Sequence, residues 1–266
     1  MLFDILIYAP LLGVVAGVLS GLLGIGGGII IVPALIYLLP TLTDVNHDNV
    51  ALVAIATSLA TIIVTTFSSA RSHYKSGNLD LSFSTPIILS VAVTALVAPY
   101  IATWLGGELV KKLFALLLLL LAINMMFTRT VIEERKSPVL LWQSLLGGSL
   151  TGLLASIAGL GGGAILVPYL AAIKVNIHKA IAVAAACGMF VAFFGSIGYM
   201  INGWGFSSSI DFVGFIHWPT ALLIMIFSFL SAPYGVKWGR KLEQKQLKRV
   251  FAVFMMLISI ELLITL

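Results

Sequence analysis

A ten-residue phrase that occurs twice constrains this chain more than anything else in it. Gly24-Ile-Gly-Gly-Gly-Ile-Ile-Ile-Val-Pro33 returns as Gly159-Leu-Gly-Gly-Gly-Ala-Ile-Leu-Val-Pro168, an offset of 135 residues in a chain of 266. Seven of the ten positions are identical. A second phrase, Ala98-Pro99-Tyr100 with Trp104, returns as Ala232-Pro233-Tyr234 with Trp238 at an offset of 134. The sequence therefore reads as two copies of one unit: a first repeat over 1–128, a linker over 129–138 and a second repeat over 139–266. Each copy is broken by glycine inside very apolar sequence. Broken segments at corresponding positions of two halves are a sequence pointer to a transporter's binding site.

The surroundings of those breaks set the fold class. Sixty per cent of the residues are apolar and 9% are charged, against roughly 25% charged in a soluble domain. Mean hydropathy is +1.13. Apolar runs of about 20 residues recur along the chain, which predicts an all-α polytopic membrane protein. The alternating strands of about ten residues that mark a membrane β-barrel are absent. The start, Met-Leu-Phe-Asp, lacks the basic region of a cleaved signal peptide, so the first apolar run is expected to be retained. One cysteine, Cys187, excludes an internal disulfide and a thiolate metal cluster. No cofactor is expected.

Five apolar segments are predicted in each copy: 2–23, 29–43, 49–70, 83–105 and 109–128, then 139–158, 164–173, 179–201, 212–235 and 245–265. A ten-residue helix spans about 15 Å, half a hydrocarbon core. Segment 164–173 therefore reads as the short limb of a re-entrant hairpin. Each repeat is predicted to hold one glycine-broken re-entrant hairpin and three transmembrane helices. With Arg129–Lys136 placed inside, thirteen of the fifteen basic residues fall on that side and only Lys111 and Lys112 fall outside. The net charge of +5 thus reports membrane orientation, and no nucleic-acid partner is expected. Each copy makes an odd number of crossings, so the two repeats are expected to be inverted. Both termini are then non-cytoplasmic, in a multi-pass protein of the cell (inner) membrane. The lipid bilayer and a small anion are the expected partners, and a homo-oligomer is left open.

The two triple-glycine runs, Gly26, Gly27, Gly28 and Gly161, Gly162, Gly163, are the first binding candidates. A helix that starts just after glycine presents unpaired N–H groups and a partial positive charge, and glycine admits close approach of a ligand. Two such starts facing each other would hold an anion without a buried cation. The competing reading is close helix packing, which also explains Gly13, Gly17, Gly21, Gly147, Gly148 and Gly152. Pro33 and Pro168 each release a carbonyl four residues earlier, on Ile29 and Ala164, which offers a coupling cation an alternative use of the same breaks. The hydroxyls of Ser20, Ser156, Thr57 and Ser58 flank the runs and can donate to an anion's oxygens, or simply bond their own helix. Cys187 reads as a packing residue. His47 and His178 follow the short limbs and read as interfacial caps, with proton-linked roles open for them and for His73. No carboxylate lies clearly in mid-segment, which argues against a carboxylate proton relay. The chain has no nucleotide-binding loop, no Gly-x-Ser-x-Gly elbow and no His-Glu-x-x-His, so it is not expected to be an enzyme.

These residues resemble the sulfite exporter TauE/SafE family, a group of membrane anion permeases. The resemblance rests on the paired glycine phrases, Ala56-Thr57-Ser58-Leu59, the His73-x-x-x-Gly77 turn and the two Ala-Pro-Tyr starts. It implies transport of a small sulfur-containing oxyanion: sulfite, sulfoacetate, another organosulfonate or a related carboxylate. The second copy departs from the family pattern at Ala185-Ala186-Cys187-Gly188. That leaves Thr57 and Ser58 as the better hydroxyl candidates. The expected function is a secondary transporter or facilitator working by alternating access, with the anion between the glycine starts. The rival readings are an anion-selective channel and a non-transporting membrane assembly protein.

Overall fold

Helix ends in this chain fall where the backbone is given a reason to turn. The computed structural model describes residues 2–23, 26–43, 45–75, 79–127, 139–239 and 244–264. The expected linker at 129–138 lies outside them, as do Gly24, Ile25, Gly77, Arg240, Lys241 and the side chain of His178.

The first half runs α1 (Leu2–Leu23), α2 (Gly28–Leu42), α3 (Val50–Lys75), α4 (Leu81–Leu105) and α5 (Gly107–Phe127). The second runs α6 (Leu141–Ala158), α7 (Gly163–Ala172), α8 (Ile177–Asn202), a two-stranded hairpin β1 (Phe212–Val213) and β2 (Ile216–His217), α9 (Trp218–Gly239) and α10 (Gln244–Ile264). Asp80 caps α4, its carboxylate accepting from the N–H groups of Ser82 and Phe83. Gly106, at φ +82, ends it, and α5 begins at the next residue.

Seven helices among the described residues are long and apolar enough to cross a membrane: α1, α3, α4, α5, α6, α8 and α9. The protein is an all-α polytopic membrane protein. Helix α10 has the length, but Lys245, Lys248 and Arg249 fall in its first turns. Helices α2 and α7 are the short ones, at 15 and 10 residues. Each broken unit therefore pairs one span-length helix with one short helix.

The second half departs from the sequence reading at 212–235, which was expected to be a single apolar segment. Residues 212–217 instead form the antiparallel β1–β2 hairpin, with Phe212 opposite His217 and Val213 opposite Ile216. Gly214 turns it at φ +60, pressed against the backbone of Met200. Helix α9 then starts at Trp218 with Pro219 in its first turn, where the missing N–H costs no helical bond.

Small residues decide which helices meet. A Cβ on Gly13 would stand 2.9 Å from the Ile224 carbonyl, and one on Gly17 would collide with Ser228 and Ser231. Helix α1 thus lies along α9, its partner numbers rising together. In the same way Gly148 lies on Ile87 and Ser90, and Gly152 on Val91 and Thr94, so α6 runs parallel to α4. Helix α8 also runs parallel to α4: Gly198 meets Leu96 and Pro99, and the Asn202 amide donates to Pro99 and Thr103. Helices α3 and α8 run the other way, with Thr66 beside Gly188 and Leu59 beside Gly195. The Ser259 hydroxyl of α10 donates to the Ala115 carbonyl of α5 at 2.7 Å. Lipid supplies no hydrophobic drive between helices, so close backbone approach and interhelical hydrogen bonds hold such a bundle.

Candidate functional site

The two glycine phrases act first on the backbone. Helix α6 ends at Gly159, which adopts φ +66 and sends its N–H back to the carbonyls of Ala155 and Ser156. Gly162 then stands at the N-cap and α7 starts at Gly163. In the first half Gly26 takes φ +85, Gly27 is the N-cap, and α2 starts at Gly28. Neither N-cap glycine has a side chain to bond the first turn; the Ile30 N–H turns back to the Gly27 carbonyl, and those of Ala164 and Ile165 to the carbonyls of Gly161 and Gly162.

The two turns meet. A Cβ on Gly26 would lie 3.8 Å from the Cα of Gly161 and 4.0 Å from its nitrogen. Gly28 lies so close to Gly159 that a Cβ would collide with the Gly159 carbonyl and come within 3.2 Å of the Leu160 Cα. Gly162 faces α8, with a Cβ 3.0 Å from the nitrogen of Gly188 and 3.3 Å from the carbonyl carbon of Cys187. A Cβ on Gly27 would be 3.1 Å from Ile31 Cδ1 and 3.6 Å from Ala16. Gly163 is the exception: no described heavy atom lies within 4 Å of where its Cβ would stand. Gly28 and Gly162 are therefore packing positions, and Gly163 borders open space.

The hydroxyl candidates separate in the same way. Ser58, fully buried on α3, donates to the Gly159 carbonyl at 3.0 Å. Thr57, also fully buried, accepts from the backbone N–H of His217 at 3.1 Å. Ser156 is buried on α6 and its hydroxyl has no hydrogen-bond partner among the described residues. Ser20 is half-buried on α1. His47 is exposed in a short 3-10 turn before α3, and His73 is half-buried in the last turn of α3. Cys187 is buried. No group of three His, Cys, Asp or Glu suited to a metal occurs among the described residues.

Three residues to which the sequence reading gave no role lie on elements packed against α3 and α6. Tyr199, fully buried on α8, donates to the Ser156 carbonyl at 3.4 Å. The buried Ser196 hydroxyl, one turn earlier, has no partner among the described residues. His217 is buried in the hairpin, its Nδ1 2.8 Å from the Thr220 hydroxyl and its ring 4.8 Å from that of Phe212. Burial holds this imidazole below the ordinary histidine range, partly offset by the Asp211 carboxylate. A tyrosine and a serine inside an apolar run were visible in the sequence, but nothing there marked them off from packing residues.

A bundle of span-length helices closed around two short helices that start at touching glycine turns defines a polytopic membrane protein with a broken-helix centre. Comparison with known proteins is specific. The chain matches the sulfite exporter TauE/SafE family over residues 9–262 and belongs to that family. It is 36% identical to a probable membrane transporter protein of Haemophilus influenzae, over 98% of this chain and 99% of that one. It is 29% identical to a probable membrane transporter protein of Methanocaldococcus jannaschii, over 92% of each chain. The probable membrane transporter protein YunE of Bacillus subtilis is 26% identical over 95% of each.

Proposed function

We infer that this protein is a secondary transporter or facilitator of a small, singly charged sulfur-containing oxyanion, bisulfite or an organosulfonate. The anion is held between the starts of α2 and α7. The observation that carries this reading is the meeting of Gly26 with Gly161, which brings the two short helices together at their N-terminal ends. Each end has roughly half a positive charge, so two approximate the charge of one monoanion. The family and the transporter names of the relatives support the same class.

Alternating access comes from two inverted repeats. In support, the equivalent helices α3 and α8 run antiparallel, while α1 lies along α9 and α4 along α6. Equivalent helices of opposite direction need a two-fold axis perpendicular to them, which for membrane-crossing helices lies in the membrane plane. The distribution of basic residues supports an orientation with both termini on the non-cytoplasmic face of the cell membrane.

The experiment is a thermal-shift titration of purified protein with sulfite, methanesulfonate and the neutral methanesulfonamide. Binding to the folded state raises its Tm by mass action. The two anions should raise it and the sulfonamide should not. Gly163→Val should fold, because its side chain enters open space, and should lose the shift. An equal response to the neutral compound would sink the reading.

A further inference from the structure

The β1–β2 hairpin is a connection that is buried. Fifteen residues, 203–217, join α8 to α9, and Phe215, Ile216 and His217 among them are buried. Connections ordinarily run over a protein's surface, because a buried one must find partners for its backbone. Here most of those partners belong to the second half. The Phe215 N–H donates to the Tyr199 carbonyl at 3.3 Å, and the Trp218 N–H to the Asp211 carbonyl at 3.1 Å. A Cβ on Gly203 would stand 2.5 Å from the Phe215 nitrogen, and one on Gly214 2.5 Å from the Met200 carbonyl oxygen. Phe206 meets Phe212 and Phe215 at ring separations of 5.9 and 4.7 Å, and Tyr199 meets Phe215 edge-on at 6.4 Å. Backbone and rings thus fix the hairpin to the end of α8. Strand β2 packs on α3, in the first half. Among the described residues its polar link there is one bond, from the His217 N–H to the Thr57 hydroxyl at 3.1 Å.

That link lies to one side of the helix starts. Gly188 of α8 lies close to both the Gly162 nitrogen and Thr66 of α3. Thr66 is nine residues further along α3 than Thr57, about 13 Å. The hairpin therefore sits toward the start of α3, on the face where α8 ends and Trp204 follows. At the matching place in the first half, α3 and α4 are joined by five residues, 76–80, too few for a hairpin of this reach.

We propose that the β1–β2 hairpin is a gate on the transport path at that face: it travels with α8, seats Ile216 and His217 against α3, and opens when the bond from His217 to Thr57 breaks. The proposal rests on the reading that the anion sits at the starts of α2 and α7. Rocking of one half against the other parts surfaces that belong to different halves, and the contact of the hairpin with α3 is such a surface. A single hydrogen bond beside an apolar face suits a contact that must open and re-form. The bond also ties the gate to the site. Thr57 and Ser58 are adjacent on α3, and Ser58 holds the carbonyl of the Gly159 turn.

The test is thiol labelling of the full chain in its membrane, with Gly163→Cys as reporter on a Cys187→Ala background. Gly163 serves because its side chain enters open space at the start of α7. The reagent is a membrane-impermeant methanethiosulfonate. Labelling of Trp204→Cys, in intact cells or in inverted vesicles, defines the hairpin's face. From that face the reporter should label far more slowly than Trp204→Cys. Thr57→Val keeps the shape and removes the acceptor. It should speed labelling of the reporter about tenfold, the effect of one buried hydrogen bond on an opening equilibrium. Thr57→Ser keeps the hydroxyl and should label as slowly as the parent. Phe215→Ala thins the aromatic layer on the α8 side and should also speed labelling, so it decides the matter if Thr57→Val does not fold. Rates unchanged by Thr57→Val and Phe215→Ala would overturn the gate. So would a parent reporter that labels as fast as Trp204→Cys, or equal acceleration by Thr57→Ser. Labelling needs no anion, so a wild-type protein whose Tm ignores methanesulfonate would fell the anion reading while these rates still judge the gate.

Discussion

The hydroxyl of Ser58 donates to the carbonyl oxygen of Gly159, 101 residues away, at 3.0 Å. That bond ties the middle of α3 to the turn at which α6 ends, and so links the two halves beside the broken helices. The same carbonyl is the atom on which Gly28 closes.

Ser58→Ala is expected to lower stability by about 1–3 kcal/mol, since it strips a buried carbonyl of its side-chain donor. Gly28→Ala should cost more, because its methyl has only the Gly159 carbonyl and the Leu160 backbone to enter. Thermal unfolding of the two variants beside wild type checks both the sign and the order. A Gly28→Ala protein as stable as wild type would mean that the halves do not meet there.

Acid should weaken the β1–β2 end of the bundle through His217. Its folded pKa lies below the unfolded value of about 6.5. Above that value the imidazole is neutral in both states and the stability is fully present. As pH falls below it the unfolded state gains the proton first, so stability declines until the folded pKa is passed. His217→Gln should flatten the fall in Tm as pH drops below about 6.5. An unchanged slope would assign the acid sensitivity to another group.

Orientation is open to labelling, since the lone Cys187 is buried and gives little background. Trp204, 83% exposed beyond the end of α8, and Lys75, exposed at the end of α3, should lie on opposite faces. In intact cells a membrane-impermeant maleimide should react with Trp204→Cys and not with Lys75→Cys until the cells are opened. The reverse pattern would invert the topology.

Much of this was legible before any coordinates. The glycine phrases marked the starts of α2 and α7 to within a residue, because three glycines in a row cannot sustain a helix and an apolar run must begin after them. Gly13, Gly17, Gly148 and Gly152 were readable as packing positions, but not their partners, since a small face fits any other close face. Phe212, Val213, Phe215 and Ile216 are as apolar as a helix and were absorbed into one. Only Gly214 and Pro219 marked the hairpin. Thr57 was legible as a buried hydroxyl, yet its bond to the His217 N–H joins residues 160 apart, which no local pattern encodes.

The exchange of α1 onto α9 and of α6 onto α4 also sets an order of assembly. About 200 residues separate the end of α1 from the start of α9. At roughly 5–20 residues per second of synthesis, α1 waits on the order of ten seconds or more for the helix it embraces. Throughout that wait the face formed by Gly13 and Gly17 stands open to lipid or to whatever escorts a nascent chain. The most extensive helix pairs join the two halves, so a chain cut between them leaves two pieces whose best partners lie in each other.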